Sequence, residues 1–336
     1  MFFGGGADNY DLSRETGQWV SEALPRGKYD VIPVQVTPEH AWQVPLGSLP
    51  RQGEVSRATA MLMSAVPALP IPQALPRLLS REPEVFFTVL RGKGGDDGSI
   101  QQLADMAGAG AVGPSAAMCL TTSDKAMCAQ AIEKLALAPF TMTVPAMRPA
   151  AEAAVEVASN FNTAVFIKPR VAEGSVGVRR VEMATELPEA IAAAQAYGDA
   201  IVQEARPGVE LAVTVYQDED GSVRVLPPTE IQPTKASFFD SLAKRRPGRV
   251  RLATREAQDT VTRRVTQLAR EVYELLGSRG ALTIDMMADG NAIDVLEVNT
   301  IPVASAHTPL IHQLRAGGVA PTTFVDSLVR DALARH

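Results

Sequence analysis

Near the carboxyl end, Asp285, Glu297 and Asn299 stand in two apolar runs, ALTIDMMA (Ala281–Ala288) and AIDVLEVN (Ala292–Asn299). The runs flank Asp289-Gly290, a favoured hairpin turn. Strand alternation puts Glu297 and Asn299 on one face, and antiparallel pairing can bring Asp285 beside them. Two carboxylates and an amide oxygen on one face suit a hard cation such as Mg2+, above all one shared with phosphate oxygens. The plain alternative is a solvated polar sheet face, although unpaired carboxylates buried among such apolar neighbours would be costly.

A second group lies upstream. The strand-like AVFIKP (Ala164–Pro169) ends on Lys168 and leads to the loop AEGSVGV (Ala172–Val178). Such a lysine followed by a glycine loop can hold phosphate, with backbone N–H groups and the Ser175 hydroxyl as donors. A glycine loop after a strand is more often just a hairpin turn. This loop is not the GxxxxGK[ST] pattern. No GxSxG elbow is present. The only cysteines, Cys119 and Cys128, form no CxxC or Cys/His cluster, which points to a reduced, cytoplasmic setting.

The elements that must position these groups follow from pattern. The chain has 336 residues, 46% hydrophobic and 21% charged, enough for two or three domains with their own cores. A net charge of −6 argues against nucleic acid as a partner. The apolar stretch Ala60–Leu79 is interrupted by four prolines, which argues against a membrane span. Strands are expected over Val31–Val36 and Glu84–Leu90, the second ending in RGKGGDDG (Arg91–Gly98) before a helix over Ser99–Met106 capped by Ser99. Ligands collect at the carboxyl ends of such strands, so Arg91–Gly98 is a candidate site edge. Further helices are expected over Thr122–Leu137, with Lys125 in the first turn, and over Ala150–Asn160, Glu186–Tyr197 and Arg255–Leu276. VRRVE, Ala200–Ala205 and Leu211–Tyr216 read as strands.

Taken in order, these segments resemble the D-alanine–D-alanine ligases. The resemblance rests on VFIKPRVAEGSVGVRRVE, IVQEARPGVELAVTV, PPTEI followed by FFDSLAKR, and IDMM with LEVNTIP. FFTVLRGKGGDDGSIQ, TTSDKAM and the opening FFGG extend it from about residue 2 to 310. It implies an α/β and α+β architecture: an ATP-grasp fold behind an N-terminal open-sheet domain, divided at 1–118, 119–205 and 206–336. It implies ATP and two Mg2+ ions as cofactors, with small-molecule carboxylate and amine substrates, no nucleic acid or membrane partner, and a homodimer.

Carried over residue by residue, the resemblance makes Lys125, Lys168 and Lys244 phosphate contacts, with Gly174 and Ser175 in a loop closing over the phosphates. Gln203, Glu204 and the backbone at Ala205 would receive adenine, and Glu210 the ribose. Asp285, Glu297 and Asn299 would hold the metal ions, Glu297 bridging them. Lys244, Arg245 and Ser175 would border the reaction itself. The implied chemistry is amide formation through an acyl phosphate, with no protein nucleophile.

The amino-acid side departs from the family. Asn9-Tyr10 replace Glu-His, Leu90-Arg91-Gly92 replace Leu-His-Gly, Arg245 replaces a tyrosine and Thr283 an arginine. Asn299-Thr300-Ile301-Pro302-Val303 ends without the family's glycine, and the following segment, with Ser305 and His307, is shortened. Asn9, Tyr10, Arg91, Ser305 and His307 are therefore the expected substrate contacts. Guanidinium groups at Arg91 or Arg245, and at Arg170 or Arg206 if they face the cleft, would suit an added carboxylate or phosphate. The expected function is a carboxylate–amine ligase acting on something other than two D-alanines. A true D-alanine–D-alanine ligase, an intramolecular amide-forming cyclase and a nucleotide-binding pseudoenzyme remain open.

Overall fold

The structure is a computed structural model and describes residues 1–51, 54–135, 138–172, 174–218, 220–234, 248–255, 259–305 and 308–335. At the amino end β1 (Phe2–Gly4) runs parallel to β2 (Val34–Val36), which pairs antiparallel with β3 (Trp42–Gln43). β4 (Val85–Phe86) runs parallel to β5 (Gly110–Ala111). Phe2 joins the two groups, its N–H donating to Phe87 O at 2.7 Å while Val89 N–H donates back to Phe2 O at 2.9 Å. The expected strands over Val31–Val36 and Glu84–Leu90 are thus shorter as ladders; in the first, Pro33 has no N–H to donate. Helix Tyr10–Ala23 lies close over β1 because Gly17 has no side chain; a Cβ there would stand 2.8 Å from Phe3 Cβ.

The proline-broken stretch folds as two short helices, Val55–Ser64 and Ile71–Leu79. Among the described residues no helix is long and apolar enough to cross a membrane. Helix Ser99–Ala107 is preceded by Gly98, at φ +88°, rather than capped by Ser99; Asp97 accepts from Ser99 N–H at 3.0 Å instead.

β6 (Thr141–Val144), β7 (Val165–Pro169), β8 (Arg179–Val181) and β9 (Ala200–Glu204) form an antiparallel sheet in the order β6-β9-β7-β8. Helices Ala150–Asn160 and Leu187–Gln195 cover one face, burying Val157, Ile167, Ile191 and Val202 in a common core.

A larger antiparallel sheet follows: β10 (Val209–Gln217), β11 (Val223–Val225), β12 (Thr229–Pro233), β13 (Val250–Thr254), β14 (Ala281–Asp289) and β15 (Ala292–Asn299). Its helix runs Thr260–Leu275, starting later than expected because Asp259 accepts from Thr262 N–H and caps it there. Val265, Leu268 and Val272 pack on Leu211, Val213, Ile284 and Met286.

Helices Pro309–Ala316 and Pro321–Ala334 return to the amino end, where Leu314, Phe324 and Leu328 share one core with Phe3, Val20 and Phe87. Fully buried Gln313 anchors the first of them: its Nε2 donates to Ala212 O at 2.7 Å, and its Oε1 accepts from the Thr214 hydroxyl. Gln313→Leu should therefore lower unfolding free energy by about 2 kcal/mol in a urea titration, since it removes two buried hydrogen bonds. An unchanged midpoint would show that the pair contributes nothing.

Candidate active site

The metal-type residues sit on the β14–β15 hairpin, but not through the turn expected. Asp289 pairs with Ala292, so the two-residue loop is Gly290-Asn291, with Gly290 at φ +57°. A regular ladder from that loop would set Asp285 opposite Leu296 and send Glu297 and Asn299 to the other face. Instead the register steps by one residue between Met286 and Asp285. Leu296 is the extra residue of a bulge, Asp285 faces Glu297, and Thr283 faces Asn299. The trio therefore does share one face, while Ile284, Met286 and Val298 are buried on the other. Asn299 Nδ2 donates to Asp285 Oδ2 at 3.2 Å.

Lys125 reaches this face from the side, its Nζ 3.4 Å from Glu297 Oε1 and donating to Ala172 O. The single helix expected over Thr122–Leu137 is corrected here. It is two helices, Ala116–Ser123 and Lys125–Ala131, with Asp124 between them; residues 136–137 lie outside the described residues. Asp124 Oδ1 accepts from Ala126 and Met127 N–H, capping the second helix. Arg170 Nε spans both carboxylate oxygens, at 2.9 and 2.8 Å. Burial alone would raise the Asp124 pKa, but the Arg170 hydrogen bond and the backbone donors hold it below the usual carboxylate value.

Phe166 and Lys168 alternate with the buried Val165, Ile167 and Pro169 along β7, and so point into a cleft between the two large sheets. Lys125, Lys168, Ser175, Gln203, Glu204 and Glu210 line it from several sides, and Asp285 and Glu297 form its floor with Met287 and Leu296. Gly174, Ser175 and Gly177 take left-handed backbone angles, at φ +69°, +59° and +70°. Gln203 is held by its Nε2 donating to Thr141 Oγ1 at 2.9 Å. The Ala205 N–H is taken by Ala164 O at 2.9 Å, so it does not offer that donor to the cleft. Arg206 borders the cleft but is paired, with Asp294 at 2.8 Å and Glu204 at 3.0 Å.

A second cavity adjoins the first. Gly174, Asn9, Arg91, Thr283, Asp285 and Asn299 line it beside apolar Leu12, Ile231, Ile301, Val303 and Leu310. Asp285 borders both cavities, and the Gly174-Ser175 loop stands between them. Arg91 is no surface arginine. Its side chain is 9% exposed, with Nη2 donating to Asn299 Oδ1 at 2.9 Å and Nη1 to Ile301 O at 3.0 Å. Tyr10 is turned away, its hydroxyl accepting from Gln35 Nε2 at 3.0 Å. Ser305 lines a separate groove along helix Tyr10–Ala23. Lys244, Arg245 and His307, with Glu173 of the phosphate loop, lie outside the described residues.

Neither cysteine is activated: burial pushes the thiols of Cys119 and Cys128 up to about 12. Among the described residues no group of three or more His, Cys, Asp or Glu side chains could hold a metal. The paired carboxylates of Asp285 and Glu297 fit one hard cation on donor chemistry.

Comparison with known proteins decides the lineage. The signature described as "D-ala D-ala ligase C-terminus" matches residues 131–330, and "D-ala D-ala ligase N-terminus" matches residues 1–114. The chain belongs to the D-alanine–D-alanine ligase family. A D-alanine–D-alanine ligase of Methylobacterium sp. strain 4-46 is 30% identical, across 100% of this chain and 91% of its own length. D-alanine–D-alanine ligase A of Mesorhizobium japonicum is 27% identical, across 100% and 97%. The solved VanG D-Ala:D-Ser ligase of Enterococcus faecalis superposes with a TM-score of 0.80 at 25% identity, covering 98% of this chain and 97% of that one. The fold is accordingly ATP-grasp, and the protein is a ligase that forms carbon–nitrogen bonds.

Asp124 and its partner Arg170 were not singled out together in the sequence, although the Ser-Asp-Lys run before an apolar helix is a capping signal. Asp124→Ala should lower Tm by several degrees, with loss of the cap alone costing about 1 kcal/mol. Because the Asp124 pKa is depressed, wild type's advantage is full above the unfolded carboxylate value and disappears as pH falls through the lowered one. Thermal melts at neutral and strongly acid pH test this; a pH-independent difference would refute the ion-pair origin.

Proposed function

We propose that this ligase couples a carboxylate donor to an amine acceptor, using ATP and Mg2+, on an amino acid or related small-molecule pair other than two D-alanines. The cleft over Asp285 and Glu297 takes the nucleotide, and the adjoining cavity takes the organic substrate. The residues facing each cavity support this reading. Lys125, Lys168 and the Ser175 loop offset triphosphate charge, Gln203 and Glu204 border the base, and Glu210 the ribose. Asp285 and Glu297 would hold Mg2+, which supplies charge neutralisation and alignment of the phosphates when bound.

In the first step a donor carboxylate oxygen attacks the γ-phosphorus and ADP leaves. In the second, the amine attacks the acyl carbonyl; phosphate departs and the nitrogen loses its proton. The chain contributes position and charge, not a nucleophile. Lys244 and Arg245 are proposed to close over the phosphates from the segment that follows β12. The reaction is placed in the cytoplasm, and the three-part division at 1–118, 119–205 and 206–336 describes the bodies that enclose it.

One observation carries the altered specificity: the substrate cavity presents neutral Asn9 and the buried cation Arg91. An amino acid's ammonium group finds no carboxylate at Asn9, whereas a carboxylate would meet the positive charge of Arg91. The names of the two bacterial relatives favour the other reading, a true D-alanine–D-alanine ligase, while the D-Ala:D-Ser title belongs to a protein of this fold with a different acceptor.

Phosphate release from ATP, followed across D- and L-amino acids singly and in pairs, separates these. Release that depends on a pair other than two D-alanines is expected; efficient release with D-alanine alone would overturn the altered specificity. Glu297→Gln should cut turnover at least about 100-fold with the fold unchanged by circular dichroism, since even losing a partner of a metal ligand costs up to that much. Unimpaired turnover would remove Glu297 from the metal site.

A further inference from the structure

We propose that the Arg91 guanidinium stands in the cation position beside Asn299, so that the site binds one divalent ion, between Asp285 and Glu297, where the family resemblance implies two. The proposal rests on the ATP-dependent reading above. Its basis is the orientation of one amide. An arginine only donates hydrogen bonds, so Arg91 Nη2, at 2.9 Å, fixes Asn299 Oδ1 towards itself. The Nδ2 group is then turned to Asp285 Oδ2, at 3.2 Å. Asparagine offers a metal only its oxygen. Here that oxygen serves the guanidinium, and the side facing the carboxylates presents N–H.

The guanidinium is held on other sides as well. Nη1 donates to Ile301 O at 3.0 Å, and Nε lies 3.9 Å from Asp96 Oδ2, with both side chains under 10% exposed. A divalent ion on Asn299 Oδ1 would sit against a fixed like charge in a water-poor pocket, where screening is weak. On the Asp285–Glu297 side one ammonium, Lys125 at 3.4 Å from Glu297 Oε1, stands beside two carboxylates, whereas at Asn299 the guanidinium takes the oxygen of a neutral amide. The guanidinium in return brings a permanent positive charge to the edge of the cavity. It meets by hydrogen bonding the charge that a second ion would meet by coordination.

The decisive count is of Mn2+, bound by the full chain saturated with a non-hydrolysable ATP analogue and measured by the electron paramagnetic resonance of the unbound ion. One Mn2+ per chain is expected for wild type and two for Arg91→Leu, with circular dichroism confirming the variant's fold. Arg91→Met provides a second, longer neutral side chain should the leucine variant fail to fold. Two ions in wild type would overturn the proposal, as would one ion in both wild type and a folded Arg91 variant. If calorimetry shows that the analogue does not bind, the ATP reading itself falls, and this proposal with it.

Discussion

The site depends on a single extra residue in one hairpin. Side chains alternate along a strand with period two, so a one-residue step exchanges the faces of everything beyond it. Without Leu296 as a bulge residue, Glu297 and Asn299 would point at the core where Ile284 and Met286 are completely buried. A carboxylate there would lack both water and a partner, at heavy cost. With the bulge, the same residues meet Asp285 on the open face, and Leu296 itself becomes a wall of the cleft. The polar face and the apolar core are thus two outcomes of one register.

Charge around this face is arranged in fixed pairs. Lys125 approaches Glu297, Arg91 engages Asn299, Arg170 spans Asp124, and Arg206 bridges Glu204 and Asp294. The last two arginines are occupied structurally and do not add cations for a substrate. Arg170 acts at one remove: by fixing Asp124 it fixes where the second helix starts, and Lys125 is the first residue of that helix. Preorganised donors of this kind need little rearrangement when charge develops, which is where electrostatic catalysis draws its advantage.

Much of this was legible in the sequence. Strand runs such as Ala292–Asn299 and the helix Ala150–Asn160 appear with their expected bounds because apolar period and breakers both mark them. That Asp285, Glu297 and Asn299 belong together was readable from residue type, since two carboxylates and an amide in apolar strands demand a reason. The bulge was not readable, because alternation assumes an unbroken ladder and the insertion answers to packing on both faces. The break at Asp124 was hidden for a different cause: its partner Arg170 lies 46 residues away, and only the fold brings them together. Tyr10 and Ser305 were assigned by position along the chain, yet side-chain direction sends one to Gln35 and the other to a neighbouring groove.

The two halves of the site draw on different parts of the chain, and this separates what must be kept from what can change. The Asp285–Glu297 pair comes from the hairpin and Lys168 from the smaller sheet, held by cores that involve few amino-terminal residues. Asn9 and Arg91 come from loops of the amino-terminal part, whose core is closed by helices Pro309–Ala316 and Pro321–Ala334. That shared core seats Arg91 against Asn299 with no linker to flex, so a substitution at position 91 acts directly on the hairpin's amide. Substitutions elsewhere in the adjoining cavity leave the hairpin face intact, but not one at Arg91, whose side chain both lines that cavity and holds Asn299 Oδ1.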